Sequence, residues 1–374
     1  MDVTLVLLSA GDSTRFNYSI KKQWIRIEND PLWLYVANRL NSFYNFKKTI
    51  ITANENDVRL YEKLCDYEIV KGANNRQHSL KNAMEYVNSE YVMVSDVARP
   101  CIPKEVVINL INNPSDCTVP YLKPVDTIVY KNKTINRDEV KLIQTPQLSK
   151  TKLLKKALNS DKLFTDERAL IESIGGKIKY ILGSKKSKKI TYFEDLDLPC
   201  LKRPSNNIFV GNGYDTHKFE KNKEMFLGGV KIDVNYGFKA HSDGDVAIHA
   251  LIDALLGAAG LGDIGEFYPD TMEKYKGADS KELLLDTAKR IKELGYVIGN
   301  VDLSIIAQTP RLLNYKKAMR FKLANLLNLQ PNLVNIKATT AEKLGWIGRK
   351  EGVAVEAVAT LYYYDWTTNE NYHN

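Results

Sequence analysis

Short apolar runs alternate with helix-period segments through the first half of this chain. Val3–Leu8 and the stretches 48–52, 91–94, 117–120 and 177–182 are β-rich and apolar over most of their length. Strands covered on both faces have that character, and the intervening 3.6-period segments supply the covers. The pattern predicts a parallel or mostly parallel α/β sheet. A joint follows at 199–207, where PCLKRPSNN carries two prolines and an Asn pair. With 374 residues, two domains are expected: 1–203, a short linker at 204–207, a second domain at 208–366 and a disordered tail at 367–374. The second half reads as α/β with few helices against one sheet. SKELLLDTAKRIKELG is an amphipathic helix stopped by Gly295, and GVAVEAVATLYY is the last strand. A domain of that size with exposed small-residue surfaces is expected to self-associate.

Against this pattern one stretch stands out. GNGYDTHKF places Asp215 and His217 two apart, so on an extended segment both side chains point the same way. AHSDGDVAIHALIDALLG then reads as a helix. Ser242 and Asp245 form a candidate capping box at its start, and Asp245, His249 and Asp253 recur at i, i+4 and i+8 on one face. A strand-borne Asp-x-His with one helix-borne His offers one oxygen and two nitrogens and leaves a coordination position open, as a reactive divalent site requires. A satisfied core histidine at 249 and a simple turn at 215–217 are the alternatives. Three of the chain's five histidines, 217, 241 and 249, fall in this window among acids that a helix would bury unless paired.

Two loops in the first half suggest phosphate chemistry. SAGDSTRF follows the first strand, with Lys21, Lys22 and Gln23 soon after. Amides near Gly11, with Arg15 and Lys22 reaching in, would cradle a polyphosphate. The loop is neither a Walker loop nor a dinucleotide fingerprint, and an ordinary strand-to-helix turn is the competing reading. VSDVARP sets Asp96 at a strand's carboxyl end, where an α/β sheet places a ligand-binding acid, with Arg99 three residues on. A carboxylate for Mg²⁺ beside a cation for phosphate suggests in-line attack on a nucleotide phosphate; a helix cap paired with an Arg is the structural alternative. The net charge of +8 suits anionic small molecules as well as nucleic acid. The lysines at 185, 186, 188 and 189 lack the interleaved aromatics and recognition helix of a nucleic-acid face, so no nucleic-acid partner is expected. The cysteines at 65, 101, 117 and 200 show no ligand spacing and no even framework, which suits reduced thiols in a cytoplasm. No signal peptide and no membrane-spanning apolar run is visible, so a cytoplasmic protein is expected.

These motifs carry a resemblance. SAGDSTRF, KKQ at 21–23, VSDVARP, PVDTI at 124–128, the stretch 135–147, TDE at 165–167 and KKIT at 188–191 resemble 2-C-methyl-D-erythritol 4-phosphate cytidylyltransferase over residues 1 to about 200. The resemblance implies a Rossmann-like nucleotidyltransferase domain that joins CTP to methylerythritol phosphate, releases pyrophosphate and uses Mg²⁺. It makes Arg15 and Lys22 the triphosphate-contacting cations and Asp96 the Mg²⁺ and ribose acid. Ser79 and Arg76 match the cytosine-side and loop positions, Gly11 is a substrate-binding position, and Arg99, Thr127, Arg137 and Lys189 line the two substrates. Ser13, Thr14 and Lys21 depart from the family's loop, so retuned nucleotide binding is expected. Another sugar-phosphate nucleotidyltransferase, or a non-catalytic CTP-binding scaffold, is the alternative for this half.

Residues 208–364 resemble 2-C-methyl-D-erythritol 2,4-cyclodiphosphate synthase. The motifs are GYDTHKF, the run from AHSDGD to EFYPD, GNVDLSIIAQTPRL and NIKATTAEKLGWIGRKEG. By that resemblance Asp215, His217 and His249 bind Zn²⁺, and His241 and Ser242 meet the substrate diphosphate. Asp263, Gly265 and Asp270 form the erythritol pocket, while Ala307, Leu312, Leu313, Ala338, Thr339 and Thr340 meet cytidine and phosphate. Glu342 holds a second metal, Mg²⁺ or Mn²⁺. Family members are trimers, so a homo-oligomer with trimeric cyclase domains, extending to a hexamer, is expected. The fusion joins two non-consecutive steps of the non-mevalonate isoprenoid pathway, and the kinase acting between them is a candidate partner.

Overall fold

The computed structural model describes residues 1–16, 18–240, 243–269 and 278–368. The chain divides into two compact units, one formed by 1–203 with the residues from Trp366 onward, the other by Pro204–Asp365. Trp366, which the sequence pattern assigns to the second domain, is buried in the first unit, where its indole N–H donates to Arg26 O at 2.7 Å. The expected tail lies mostly outside the described residues.

The first unit is built on an eight-stranded sheet. Its strands are β1 Val3–Leu8, β2 Lys48–Ala53, β3 Glu68–Lys71, β4 Tyr91–Asp96, β5 Cys117–Leu122, β6 Leu142–Ile143, β7 Gln147–Lys150 and β8 Ile178–Leu182. The order is β6-β5-β7-β4-β1-β2-β3, with β8 also paired to β5. β1 is central, buried along its whole length and parallel to both β2 and β4, as its unbroken apolar run requires. Two strands depart from a parallel sheet: β6 runs antiparallel to β5, and β7 runs antiparallel between β4 and β5. The second is the larger surprise. Its sequence, QLSK, is too short and polar to announce a strand. Leu8 pairs with Asp96 in the β1–β4 register, so the loops after these two strands leave the sheet side by side.

Aromatic packing supports the first of those loops. Trp33 stacks on Tyr61 with ring centroids 3.9 Å apart, Trp24 meets Tyr61 edge-on, and the Tyr61 hydroxyl bonds Ser9 Oγ at 2.8 Å. Such clusters add to area burial and fix ring orientation. Cys101 and Cys200 are joined by a disulfide, which corrects the expectation of reduced thiols throughout. A separation of 99 residues conceals that pair from a reading of local spacing. Cys65 and Cys117 are free. No helix among the described residues is long and apolar enough to cross a membrane.

The second unit has a five-stranded sheet from β9 Ile208–Lys221, β10 Tyr236–Phe238, β11 Tyr296–Ile306, β12 Val334–Thr339 and β13 Gly352–Tyr363, in the order β10-β9-β13-β11-β12. Helix α1, Val246–Ala258, crosses β9 and β13. Gly211 and Gly213 permit this closeness, since a Cβ on them would collide with the carbonyls of Ala254 and Ala250. By strand alternation Gly211, Gly213, Asp215 and His217 lie on the side of β9 that faces the helix.

The helix begins after Asp245, so Asp245 is its N-cap and not the third residue of a capping box; Ser242 lies outside the described residues. The buried Asp245 carboxylate accepts from Ala247 N and Ile248 N, and from Gly228 N and Gly229 N in a neighbouring turn. Replacing Asp245 with Ala is expected to cost the second unit about 3 kcal/mol or more, because the cap is lost and four amides are left without their acceptor. Chemical denaturation should show this as a lower midpoint with an unchanged slope.

Candidate functional site

The loops after β1 and β4 border a cavity of about 530 Å³ whose walls include Gly11, Ser13, Arg15, Lys22, Gln23, Arg76, Ser79, Asp96 and Lys189. Seven of the expected site residues of the first half are thus brought together. Ser13 holds φ at 56°, the left-handed region that favours glycine. Its hydroxyl donates to Gln23 Oε1 at 2.9 Å and accepts from Lys22 N at 3.2 Å, while Gln23 Nε2 donates to Gly11 O at 3.0 Å. The loop therefore keeps glycine-like geometry at Ser13 and is fastened by a buried glutamine.

Asp96 is gripped by two cations. Arg76 Nε donates to Oδ1 at 3.1 Å and Lys189 Nζ to Oδ2 at 2.7 Å. Burial works against the Asp96 charge, but Arg76 and Lys189 outweigh it and hold the carboxyl well below its ordinary range. Lys189 reaches Asp96 because Ile190 N bonds Ala98 O at 2.8 Å, laying the KKIT segment against the loop after β4. Lys22 Nζ donates to Ile190 O at 3.0 Å. Burial, then the neighbouring charges of Lys189 and Arg15, lower its pKa to about 8. Arg99 faces elsewhere and donates to Ser187 O at 2.5 Å. Thr127 and Arg137 are exposed at a hairpin formed by Ile128–Tyr130 and Lys133–Ile135; Arg137 bonds Val125 O, and neither residue lines this cavity.

In the second unit Asp215, His217 and His249 each offer a ligand atom, all within 4.8 Å of one another. Asp215 Oδ2 stands 3.2 Å from Nδ1 of both histidines, while Oδ1 accepts from Thr216 N at 2.7 Å. His217 Nδ1 is buried without an aligned hydrogen bond. His249 Nε2 lies 2.9 Å from Ser280 Oγ, whose hydroxyl donates to Asp243 Oδ1 at 2.5 Å. With that hydroxyl hydrogen directed at Asp243, Ser280 Oγ accepts from His249 Nε2–H, which leaves a lone pair on Nδ1 facing Asp215. The donor set is that of a divalent cation with an open position, and an orphaned buried nitrogen fits one. Burial pushes the Asp215 carboxyl up, but both histidines overcome this and hold it far below its ordinary value. For His249 burial pushes down, and Asp215 reverses it to a net rise.

Asp253 does not join this cluster; it accepts from Ile264 N at 2.8 Å. Asp263 and Gly265 are exposed on the short helix Ile264–Phe267, which Asp263 caps through Glu266 N. Ala307 and Leu312 are buried, Leu313 is exposed, and Ala338, Thr339 and Thr340 are exposed at and just after the end of β12. Glu342 lies beyond them at φ 49° with its carboxylate on Thr340 Oγ1, outside the His–Asp cluster. His241, Ser242 and Asp270 lie outside the described residues. Sequence reasoning missed Ser280 as the partner of His249, with Asp243 behind it, and Glu167 as the partner of Arg76; the last lies in TDE, a motif noted without a role.

Comparison with known proteins agrees with this division. Residues 3–200 match the family model of 2-C-methyl-D-erythritol 4-phosphate cytidylyltransferase, and residues 208–362 match the YgbB family. The bifunctional enzyme IspD/IspF of Aliarcobacter butzleri is 55% identical over 370 residues, covering 98% of this chain and 99% of that protein. The enzyme of the same description from a Nitratiruptor species is 53% identical over 369 residues, with the same coverage. The solved structure of the bifunctional IspDF from Campylobacter jejuni superposes with a TM-score of 0.91 at 48% identity, covering 98% of this chain and all of that one. The chain belongs to the bifunctional IspD/IspF family, a cytidylyltransferase and a cyclodiphosphate synthase of the non-mevalonate pathway in one polypeptide.

Proposed function

We propose that the 530 Å³ cavity is where CTP meets 2-C-methyl-D-erythritol 4-phosphate. The phosphate oxygen of the second substrate attacks the α-phosphorus of CTP in line, the α–β bridging bond breaks, and pyrophosphate leaves with that electron pair. Arg15 and Lys22 neutralise charge on the triphosphate as it develops. Arg76 and Ser79 border the base, with Gly11 in the phosphate loop, and Lys189 steadies Asp96. Asp96 would hold a Mg²⁺ ion, whose charge would help neutralise the phosphates. Arg99, Thr127 and Arg137 remain candidate substrate contacts by motif. The observation that carries this reading is the convergence of Asp96, Lys22 and Lys189 at one mouth.

In the second unit the 2-phosphate of the cytidylyl ester attacks the β-phosphorus of the same molecule and CMP departs. The nucleophile is already anionic, so the protein's task is to fold the substrate until its ends meet. His241, Ser242, Asp263, Gly265 and Asp270 are assigned to the diphosphate and erythritol. Ala307, Leu312, Leu313, Ala338, Thr339 and Thr340 are assigned to the nucleotide. Zn²⁺ on Asp215, His217 and His249, with Mg²⁺ or Mn²⁺ at Glu342, would screen the converging phosphates.

The face of β9 that α1 does not cover supports self-association. Ile208, Val210 and Tyr214 lie along it at 71%, 65% and 59% exposure, with the exposed Asn212 between them, a mostly apolar stripe that supports a trimer of cyclase units and is compatible with a hexamer. The protein is placed in the cytoplasm with its CTP. The kinase that must act between the two reactions is an expected associate.

Phosphorus NMR of the whole chain with CTP, Mg²⁺ and methylerythritol phosphate tests the first assignment. Pyrophosphate and a cytidine diphosphate ester should appear together. An unchanged spectrum from protein that still releases CMP from the phosphorylated ester would mean that Ser13, Thr14 and Lys21 mark a lost transferase.

A further inference from the structure

Glu167 opens the helix Glu167–Ser173, and its carboxylate has no exposure to solvent. It lies behind the cavity wall and not in it. Arg76 approaches it with both terminal nitrogens, Nη1 to Oε1 at 2.6 Å and Nη2 to Oε2 at 3.4 Å. That leaves Nε, the inner nitrogen of the same guanidinium, as the atom that reaches Asp96 Oδ1. The four groups form a line, Glu167–Arg76–Asp96–Lys189, in which acids and cations alternate.

The segment around Glu167 is braced from three directions. Asp166 caps the helix through Ala169 N at 2.9 Å. Gln147 Oε1 accepts from Arg168 N at 2.8 Å. Gln77, the neighbour of Arg76 in sequence, accepts from Phe164 N at 2.8 Å and donates to Lys162 O at 3.1 Å. A buried carboxylate is costly unless its partner is fixed, and here both partner and backbone are fixed.

An arginine facing a single carboxylate tends to take it bidentately, with two parallel N–H donors on its two oxygens. If Arg76 did that to Asp96, whose Oδ2 already accepts from Lys189, three donors would crowd the two oxygens and leave little of the carboxylate to a divalent cation. Glu167 claims the fork and supplies a second negative charge to Arg76. Asp96 then meets the guanidinium at Oδ1 alone; with Lys189 on Oδ2, one lone pair of each oxygen stays available to a cation.

We propose that Glu167 is a positioning residue of the transferase reaction, which holds Arg76 in a side-on contact and so keeps Asp96 open to the divalent cation. This rests on the assignment of Asp96 as the cation's ligand, and the test separates the two. In the full-length protein, Mn²⁺ binding that depends on a non-hydrolysable CTP analogue is measured by the EPR signal of free Mn²⁺. The half-saturating Mg²⁺ of the transferase reaction is measured beside it. Glu167→Gln keeps the shape and removes the charge. It should weaken Mn²⁺ binding and raise the Mg²⁺ requirement by about 10- to 100-fold, while KM for CTP at saturating Mg²⁺ changes by less than about threefold. Gln77→Ala, which loosens the same segment without touching the charge line, should lower Tm and leave both cation constants unchanged. The proposal is overturned if Glu167→Gln moves neither constant, or if Gln77→Ala moves them as far. Should Asp96→Asn leave the analogue-dependent Mn²⁺ binding intact, the assignment of Asp96 itself falls, and the role of Glu167 with it.

Discussion

Replacement of Asp215 by Asn should remove the divalent cation from the second unit and lower CMP release by about 1000-fold or more, since a metal supplies several kcal/mol of charge stabilisation in such a site. The substitution deletes the anionic oxygen from which both histidine Nδ1 atoms stand 3.2 Å away. Two neutral imidazoles alone form a poor site for a hard or borderline cation. Transferase activity should be unchanged, because Asp215 belongs to the other compact unit. The same site carries a pH dependence. A proton on His249 Nδ1 competes with the cation, and Asp215 raises the affinity of that nitrogen for protons above the ordinary histidine value. Metal occupancy should therefore be full at alkaline pH and fall as pH drops through that raised pKa. Metal analysis of the variant and of the native chain across a pH series checks both statements. Full occupancy with normal CMP release in the Asn variant would refute the assignment.

Much of this was legible in the sequence, and the reason differs from residue to residue. Asp215 and His217 could be paired from spacing alone, because a strand's two-residue period is rigid. His249 could be placed on a helix from periodicity. That the helix lies against that same strand depends on Gly211 and Gly213, whose missing side chains leave no mark on hydrophobic patterning. Asp245 was misread because a capping-box motif does not say which of its members ends up as the cap. Contacts that span the chain were out of reach. Cys101 pairs across 99 residues and Arg76 reaches Glu167 across 91, and no local rule connects them. In the sheet, β7 escaped because a strand buried between two others by tertiary context need not carry a strand's composition. Motif matching assigned Thr127 and Arg137 to the substrates, yet it cannot say where an exposed hairpin points.

Lys22→Ala should lower transferase kcat by about 1000-fold, the loss expected when a preorganised cation at a phosphoryl transition state is deleted. A substitution that only weakened CTP binding would raise KM and leave kcat in place. The geometry favours the larger loss. Lys22 is held against Ile190 O and among Arg15 and Lys189, so its charge is fixed before substrate arrives. Its surroundings also make that charge conditional. Burial and the adjacent cations bring its pKa down to about 8, so the free enzyme carries the ammonium below that pH and loses it above. The profile of kcat/KM for CTP, which reports the free enzyme, should accordingly fall as pH rises through about 8. Bound triphosphate favours the cation, so the corresponding limb in kcat should lie higher. Lys22→Arg separates this group from any other titrating there, because a guanidinium stays protonated throughout. That variant should retain part of the activity and lose the alkaline limb. If the limb persists unchanged in the Arg variant, Lys22 is not the group that sets it, and the charge on the phosphate loop is governed elsewhere.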